Sequence, residues 1–455
     1  MIFIDEICSG KEASINNDAR NIYDKLSKPE DILNITFKGV VIGEQIYDTI
    51  LKYKNATVWT INDKIIPHIK NAIKAYYVID YLNIIYDLKA ALFTHSTCVY
   101  HGVYTRYILS KKIPVFMNMG GLGAINRINR TLNANSQLKS ILHIEPEVFQ
   151  RLINNLGQAN ILVKAKVYYQ KRFCGDDKND FDAVEAFSKD KILFKNKESF
   201  CAKYNLNSSY PIVFIMLHAM TDDPHFVEQN IFKDYYDWFY KTLEIVREVK
   251  KVNWVFKQHP LIRYYPDDAN VPGMIKILNQ PNIIYLSESE NISTASIPNL
   301  ANAIVTCAGT SALEFIPCGI PGIVGCKNDY TGHGLCIEPD NFEEYKNVLQ
   351  KIASQSKPTK LQKEKALLLF YLLYSVIRPA YVKGLLPFMS IEEMRNINNT
   401  KIISLMLESL TGPRINKLRK DIIPLMEFIK SKPDLSKSNE IYFAERLLDK
   451  INFER

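Results

Sequence analysis

Two adjacent carboxylates, Asp222 and Asp223, stand between two histidines in LHAMTDDPHF (217–226). A carboxylate in such a setting can act as a general base toward a hydroxyl, provided that partial burial lifts its pKa toward neutral. A solvated acidic turn before Pro224 is the alternative. The stretch WVFKQHPLIR (254–263) ends an apolar run in Lys257, Gln258, His259 and Pro260, with Arg263 close behind. Proline restricts the residue before it to extended angles, so His259 is held at the tip of whatever strand precedes it. Flanked by Lys257 and Arg263, it suits contact with a phosphate, and a protonated imidazole there would stabilise a leaving phosphate.

A third stretch, TCAGTSALE (306–314), combines a glycine with hydroxyls. Gly309 can take backbone angles that other residues avoid, and Thr310 and Ser311 are good N-cap residues. Free N–H groups at a helix start, with two hydroxyls beside them, form an anion site. Glu314 lies three residues after Ser311 and matches a capping box, yet a carboxylate there could also accept hydrogen bonds from ribose hydroxyls. Spacing leaves both readings open. Further back, FTHSTCVYHGVYTRY (93–107) holds His95, Tyr100, His101 and Arg106, which could line an acceptor side, although helical spacing lets half of them pack. The glycine-rich MGGLG (119–123) lacks the spacing of a nucleotide-binding loop.

The elements that must carry these residues alternate. Apolar runs at NITFKGVVIG (34–43), AALFTHS (90–96) and IPVFMN (113–118) alternate with helical patterns near 63–86 and 99–112. That order predicts βαβ units on a parallel sheet. YPIVFIML (210–217) reads as a fully buried strand and opens a second unit. An amphipathic helix over 232–251 follows, then NWVFK, NIIYL (282–286) and the strand–turn–helix–turn–strand pattern of 301–325. The tail is helical, and its most apolar part, KALLLFYLLYSVI (365–377), has the length of a buried helix. The expected organisation is an α/β chain of three parts: 1–200, 201–350 and a helical 351–455. In open parallel sheets ligands bind beyond the carboxyl ends of the strands, where all three chemical stretches fall.

Composition narrows the classes. A net charge of +8 from 57 Lys and Arg against 49 Asp and Glu describes no polybasic arm, so nucleic acid is not an expected partner, while nucleotides or headgroups are permitted. No apolar run is long enough to span a bilayer, and the first residues lack a signal-peptide pattern, so a cytoplasmic protein is expected. Eight cysteines without CxxC spacing suit reduced thiols better than disulfides or zinc.

Taken together, HAMTDDPH, the helix with DYYDWF, VFKQHP, CAGTSALEF with CGIPGIV, and NDYTGHGLCIEP (328–339) resemble the capsule polysaccharide biosynthesis family of GT-B glycosyltransferases. That family contains the bacterial Kdo (3-deoxy-manno-octulosonate) transferases and is related to the His-Pro motif sialyltransferases. The resemblance covers residues 85 to 345 or so. It implies a GT-B fold, two Rossmann-like domains facing across a cleft, with a helical C-terminal region packed back on them. It implies an inverting, metal-independent transfer of an acid sugar, Kdo or a nonulosonate such as sialic acid, from a CMP-linked donor, with no other cofactor. Carried over, His259 and Pro260 with Lys257 meet the CMP phosphate, as does the turn of Gly309, Thr310 and Ser311. Glu314 meets the ribose, and Asp222, with Asp223 second, is the base. The chain departs from the pattern at Leu217-His218, where many members carry Pro-Leu-Gln. The implied acceptor is a glycan or lipid-linked glycan, with peripheral association at the inner membrane face or in a glycan-assembly complex. The rivals are a CDP-glycerol-type glycerophosphotransferase, a sugar-nucleotide 2-epimerase and a non-catalytic capsule-assembly scaffold.

Overall fold

The computed structural model describes residues 4–93, 95–118, 125–128, 143–176, 181–226 and 229–377. MGGLG, part of the acidic loop at 174–182 and the tail beyond 377 fall outside these residues. Within them the chain is α/β, as its alternating pattern predicts.

The first unit is built around α1 (Gly43–Leu51), the long α2 (Ile66–Tyr86) and α3 (Val103–Ser110). Its sheet has β1 (Ala91–Phe93) parallel to β2 (Val115–Asn118), with β3 (Ile125–Ile128) antiparallel to β2. The expected β1–helix–β2 crossover is therefore present. The run at 34–43 does not join this sheet. Lys38 and Gly39 both adopt left-handed angles, with φ of 47° and 79°, and fold it into a hairpin of two-residue strands.

The second unit carries five parallel strands: β4 (Ile212–Met216), β5 (Asn253–Lys257), β6 (Ile283–Leu286), β7 (Ala303–Thr306) and β8 (Gly322–Val324). Their order is β8-β7-β4-β5-β6. The strands are apolar on both faces because both are covered. Val213, Ile215, Trp254, Phe256 and Val305 enter one core cluster, while Ile212, Phe214, Val255 and Ile304 enter another. At the carboxyl end the register lines up Val324, Thr306, Met216, Lys257 and Leu286 across the sheet. The segments that follow β4, β5 and β7 thus leave from one edge.

Helices α4 (Pro146–Leu156) and α5 (Gln158–Phe173) pack with residues 312–335 and with the helix that spans Lys360–Tyr371, rather than with the first unit's core. Phe194, Phe200 and Leu206 likewise pack against β4 and β5. The apolar stretch at 365–377 is buried through Ala366–Phe370, as its length predicts. Among the described residues no helix is long and apolar enough to cross a membrane.

The two units meet through buried polar pairs. Tyr47 Oη and Thr57 Oγ1 both donate to Asp234 at 2.5 Å, and Asp234 in turn caps the helix over Tyr235–Val246 by accepting the Asp237 N–H. Asp48 on α1 lies 2.5 Å from His225 Nδ1, and His225 Nε2 donates to the Lys233 carbonyl at 2.9 Å.

Candidate active site at the carboxyl edge of the parallel sheet

Beyond β5, Gln258 staples the strand end to the next loop by accepting the Glu288 N–H at 2.9 Å. His259 is half-buried, and its Nδ1 accepts the Leu261 N–H at 3.2 Å. That contact puts the ring proton on Nε2 and leaves it as a donor. Burial, with Lys257 adding to it, pushes the imidazole down to about 4. His259 is therefore neutral, whereas the leaving-phosphate role read from the sequence called for a protonated imidazole. Burial likewise pushes the Lys257 amine down to about 8, with the charge of Lys191 adding to the effect. Arg263, expected to flank a phosphate, is committed to Glu288 and Glu185 instead.

After β7 the turn is held from outside. His218, the second residue beyond β4, accepts the Ala308 N–H at 3.0 Å through Nε2, which also lies 3.1 Å from Thr306 Oγ1. Its ring stacks on Tyr235 at 4.2 Å and is pushed down to about 3 by burial and by His259 nearby. His218 thereby links the strand-end loop of β4 to the turn after β7. Gly309 does not adopt a left-handed angle. It is required because a Cβ there would stand 2.8 Å from Thr306 Oγ1.

The helix that begins at Ser311 is one turn, Ser311–Glu314, with Thr310 before it. No side chain caps it, so the capping box suggested by the spacing does not form. The Ser311 hydroxyl is buried with no partner among the described residues. Glu314 is buried and pairs with Arg172 of α5, while Tyr169 donates to its carbonyl. A buried carboxylate needs such a counter-charge, and this one has it from α5.

The loop after β4 separates the two aspartates. Asp223 is buried in a left-handed conformation, φ 46°, and accepts from Thr97 Oγ1 at 3.1 Å and from Cys98 Sγ at 3.3 Å. Asp222 keeps a half-exposed carboxylate. Burial pushes its pKa up, and Lys52 pulls against that shift. Lys52 Nζ lies 3.6 Å from Asp222 and 3.2 Å from Asp223.

On the first unit, Tyr100, His95 and His101 are exposed, the two imidazoles 6.1 Å apart, and the charge of His95 is felt at Asp222. Arg106 is not part of this surface. It is buried and paired with Glu44, because α3 turns its side chain into the first unit's core. Among the described residues no three His, Cys, Asp or Glu side chains gather as metal ligands. Sequence spacing missed Lys52, Lys191, Arg172 and the linking role of His218, since each acts across a long stretch of chain.

No protein-family model and no curated protein matches the chain. Among solved structures it is similar to the β-Kdo 2,4-transferase KpsC of Thermosulfurimonas dismutans, at 11% identity and TM-score 0.35 over 61% of this chain and 78% of that one. The β-Kdo 2,7-transferase KpsC of the same organism aligns at 14% identity and TM-score 0.32, covering 65% and 85%. The UDP-GlcNAc 2-epimerase of Methanocaldococcus jannaschii, solved with UDP-GlcNAc and UDP, aligns at 15% identity and TM-score 0.29, covering 67% and 81%.

Proposed function

We propose that the chain is an inverting glycosyltransferase that takes an acid sugar, Kdo or a nonulosonate, from a CMP-linked donor to a glycan or lipid-linked glycan acceptor. The observation that carries this reading is the edge formed beyond β5 and β7. There the Nε2–H of a neutral His259 stands with the Lys257 amine, and the buried Ser311 hydroxyl lacks a partner among the described residues.

In this reading the donor phosphate takes hydrogen bonds from His259 Nε2 and the hydroxyls of Thr310 and Ser311, and charge from Lys257. Pro260 fixes the angle of the histidine, and Gly309 lets the turn lie close to Thr306. The anomeric C–O bond breaks with its electron pair leaving on the phosphate oxygen of CMP, whose charge those donors stabilise. The acceptor hydroxyl attacks the opposite face of the oxocarbenium-like carbon and gives its proton to Asp222. No metal is assigned a step. Asp223 holds the loop, and His95, Tyr100 and His101 line the acceptor side. Glu314 is assigned to its pairing with Arg172 and not to ribose.

The test is release of CMP from CMP-Kdo and CMP-sialic acid, with and without glycan acceptors. Acceptor-dependent release supports the reading. Interconversion of a UDP-N-acetylhexosamine without any such release would favour the 2-epimerase rival.

A further inference from the structure

The loop 222–225 is gripped at both ends by one helix of the opposite unit. Asp48 and Lys52 are four residues apart, on α1 and just past its end, so both side chains project from the same face. Asp48 holds the far end of the loop through His225, at 2.5 Å. Lys52 holds the near end, 3.2 Å from Asp223 and 3.6 Å from Asp222. Asp223 is further engaged by Thr97 and Cys98, also of the first unit. Asp222 alone keeps a half-exposed carboxylate.

We propose that Lys52 is a positioning residue for Asp222: presented by the first unit, its ammonium group holds the second unit's carboxylate in place from 3.6 Å away. The base is then complete only where the two units meet. This rests on the reading of Asp222 as the base.

The charges around the carboxylate support it. Asp222 is faced by Lys52, by Asp223 on its own loop and by His95 from the first unit. Lys52 is faced by both aspartates and by the Cys98 thiol, and its amine stands 6.0 Å over the ring of Tyr265. At the other end of the loop His225 is faced by Asp48, Glu44 and Asp234. Burial and Asp223 both favour the protonated form of Asp222, which could not accept a proton. Lys52 opposes both more strongly than His95 does.

The experiment is a ¹³C titration of side-chain carboxyls in the ligand-free protein, with the Asp222 signal assigned by its loss in Asp222→Asn. Lys52→Met should raise the Asp222 midpoint by about one pH unit, and Lys52→Arg should restore most of it. The acid limb of kcat/KM should move with the midpoint, while nucleotide affinity stays within about twofold. Lys52→Gln, which keeps a polar head, serves if the methionine variant does not fold. An unmoved Asp222 midpoint in either folded variant overturns the proposal. A moved midpoint in a protein without transferase activity upholds the Lys52–Asp222 coupling and removes the base assignment instead.

Discussion

The N–H of Leu261 donates to Nδ1 of His259 at 3.2 Å, which leaves the ring its proton on Nε2 in a neutral state. The imidazole, pushed down to about 4 by burial and Lys257, is uncharged at pH 5 to 6. A phosphate brought against Nε2 favours the charged form and raises that pKa. Nucleotide binding should therefore take up close to one proton in this window. Calorimetry at pH 5.5 in buffers of different ionisation enthalpy reads the uptake directly, and His259→Ala should abolish it. Binding that takes up no proton and is equally tight in His259→Ala would remove His259 from the phosphate.

Lys257 sets function against stability. Its amine titrates near 8 in the fold, below its ordinary 10.5. Between those values the unfolded chain carries a proton that the folded chain lacks, so this residue makes stability rise with pH across the window. Lys257→Met should remove that rise, increase Tm at pH 7 and weaken nucleotide binding about tenfold. A lower Tm for the variant would show that the amine is satisfied in the folded state.

The two aspartates should part on mutation. Asp222→Asn is expected to lower kcat by about 10²- to 10⁴-fold with nucleotide affinity nearly intact. Asp223→Ala should instead cost about 2 kcal/mol of stability, because Thr97, Cys98 and Lys52 lose a buried acceptor. Turnover kinetics and urea denaturation of the pair separate the roles. Retained turnover in Asp222→Asn would end its candidacy.

Much of the second unit was legible in the chain. Continuous apolar runs such as IVFIM and WVF are of the kind that strands covered on both faces show, and a parallel sheet then fixes which ends carry ligands. Pro260 after His259 marked a strand tip in the same local way. What failed was whatever depended on partners distant in sequence. Arg106 has the type and spacing of an acceptor residue, yet Glu44 draws it into the core. Glu314 matched a cap by spacing, but Arg172 claims its carboxylate. A protonated His259 was the form that would serve a leaving phosphate, but burial, with Lys257 adding to it, keeps the ring neutral. The hairpin at 34–43 turned on the left-handed angles of Lys38 and Gly39 rather than on its apolar content.

The Asp48–His225 pair joins the two units and should govern alkaline stability. Although burial opposes it, Asp48, with Glu44 and Asp234 adding to it, holds the imidazole up at about 9. The raised value means that the histidine's contribution to stability is lost as pH rises through 9. Asp48→Asn should cost about 3 kcal/mol at pH 7, since it leaves a buried histidine without its counter-charge. Chemical denaturation at pH 7 and pH 10 should show a smaller difference between the two pH values in the variant than in the parent. An unchanged difference would mean that the pair carries no linkage.

The central claim is a cytidine-nucleotide site at the carboxyl edge of the parallel sheet, with His259 on the phosphate. Calorimetry of CMP, CDP, UMP and UDP with the parent protein and with His259→Ala tests it most directly. CMP should bind more tightly than either uridine nucleotide and lose at least tenfold in affinity in the variant. Equal binding of cytidine and uridine nucleotides, or CMP binding untouched by His259→Ala, would contradict it.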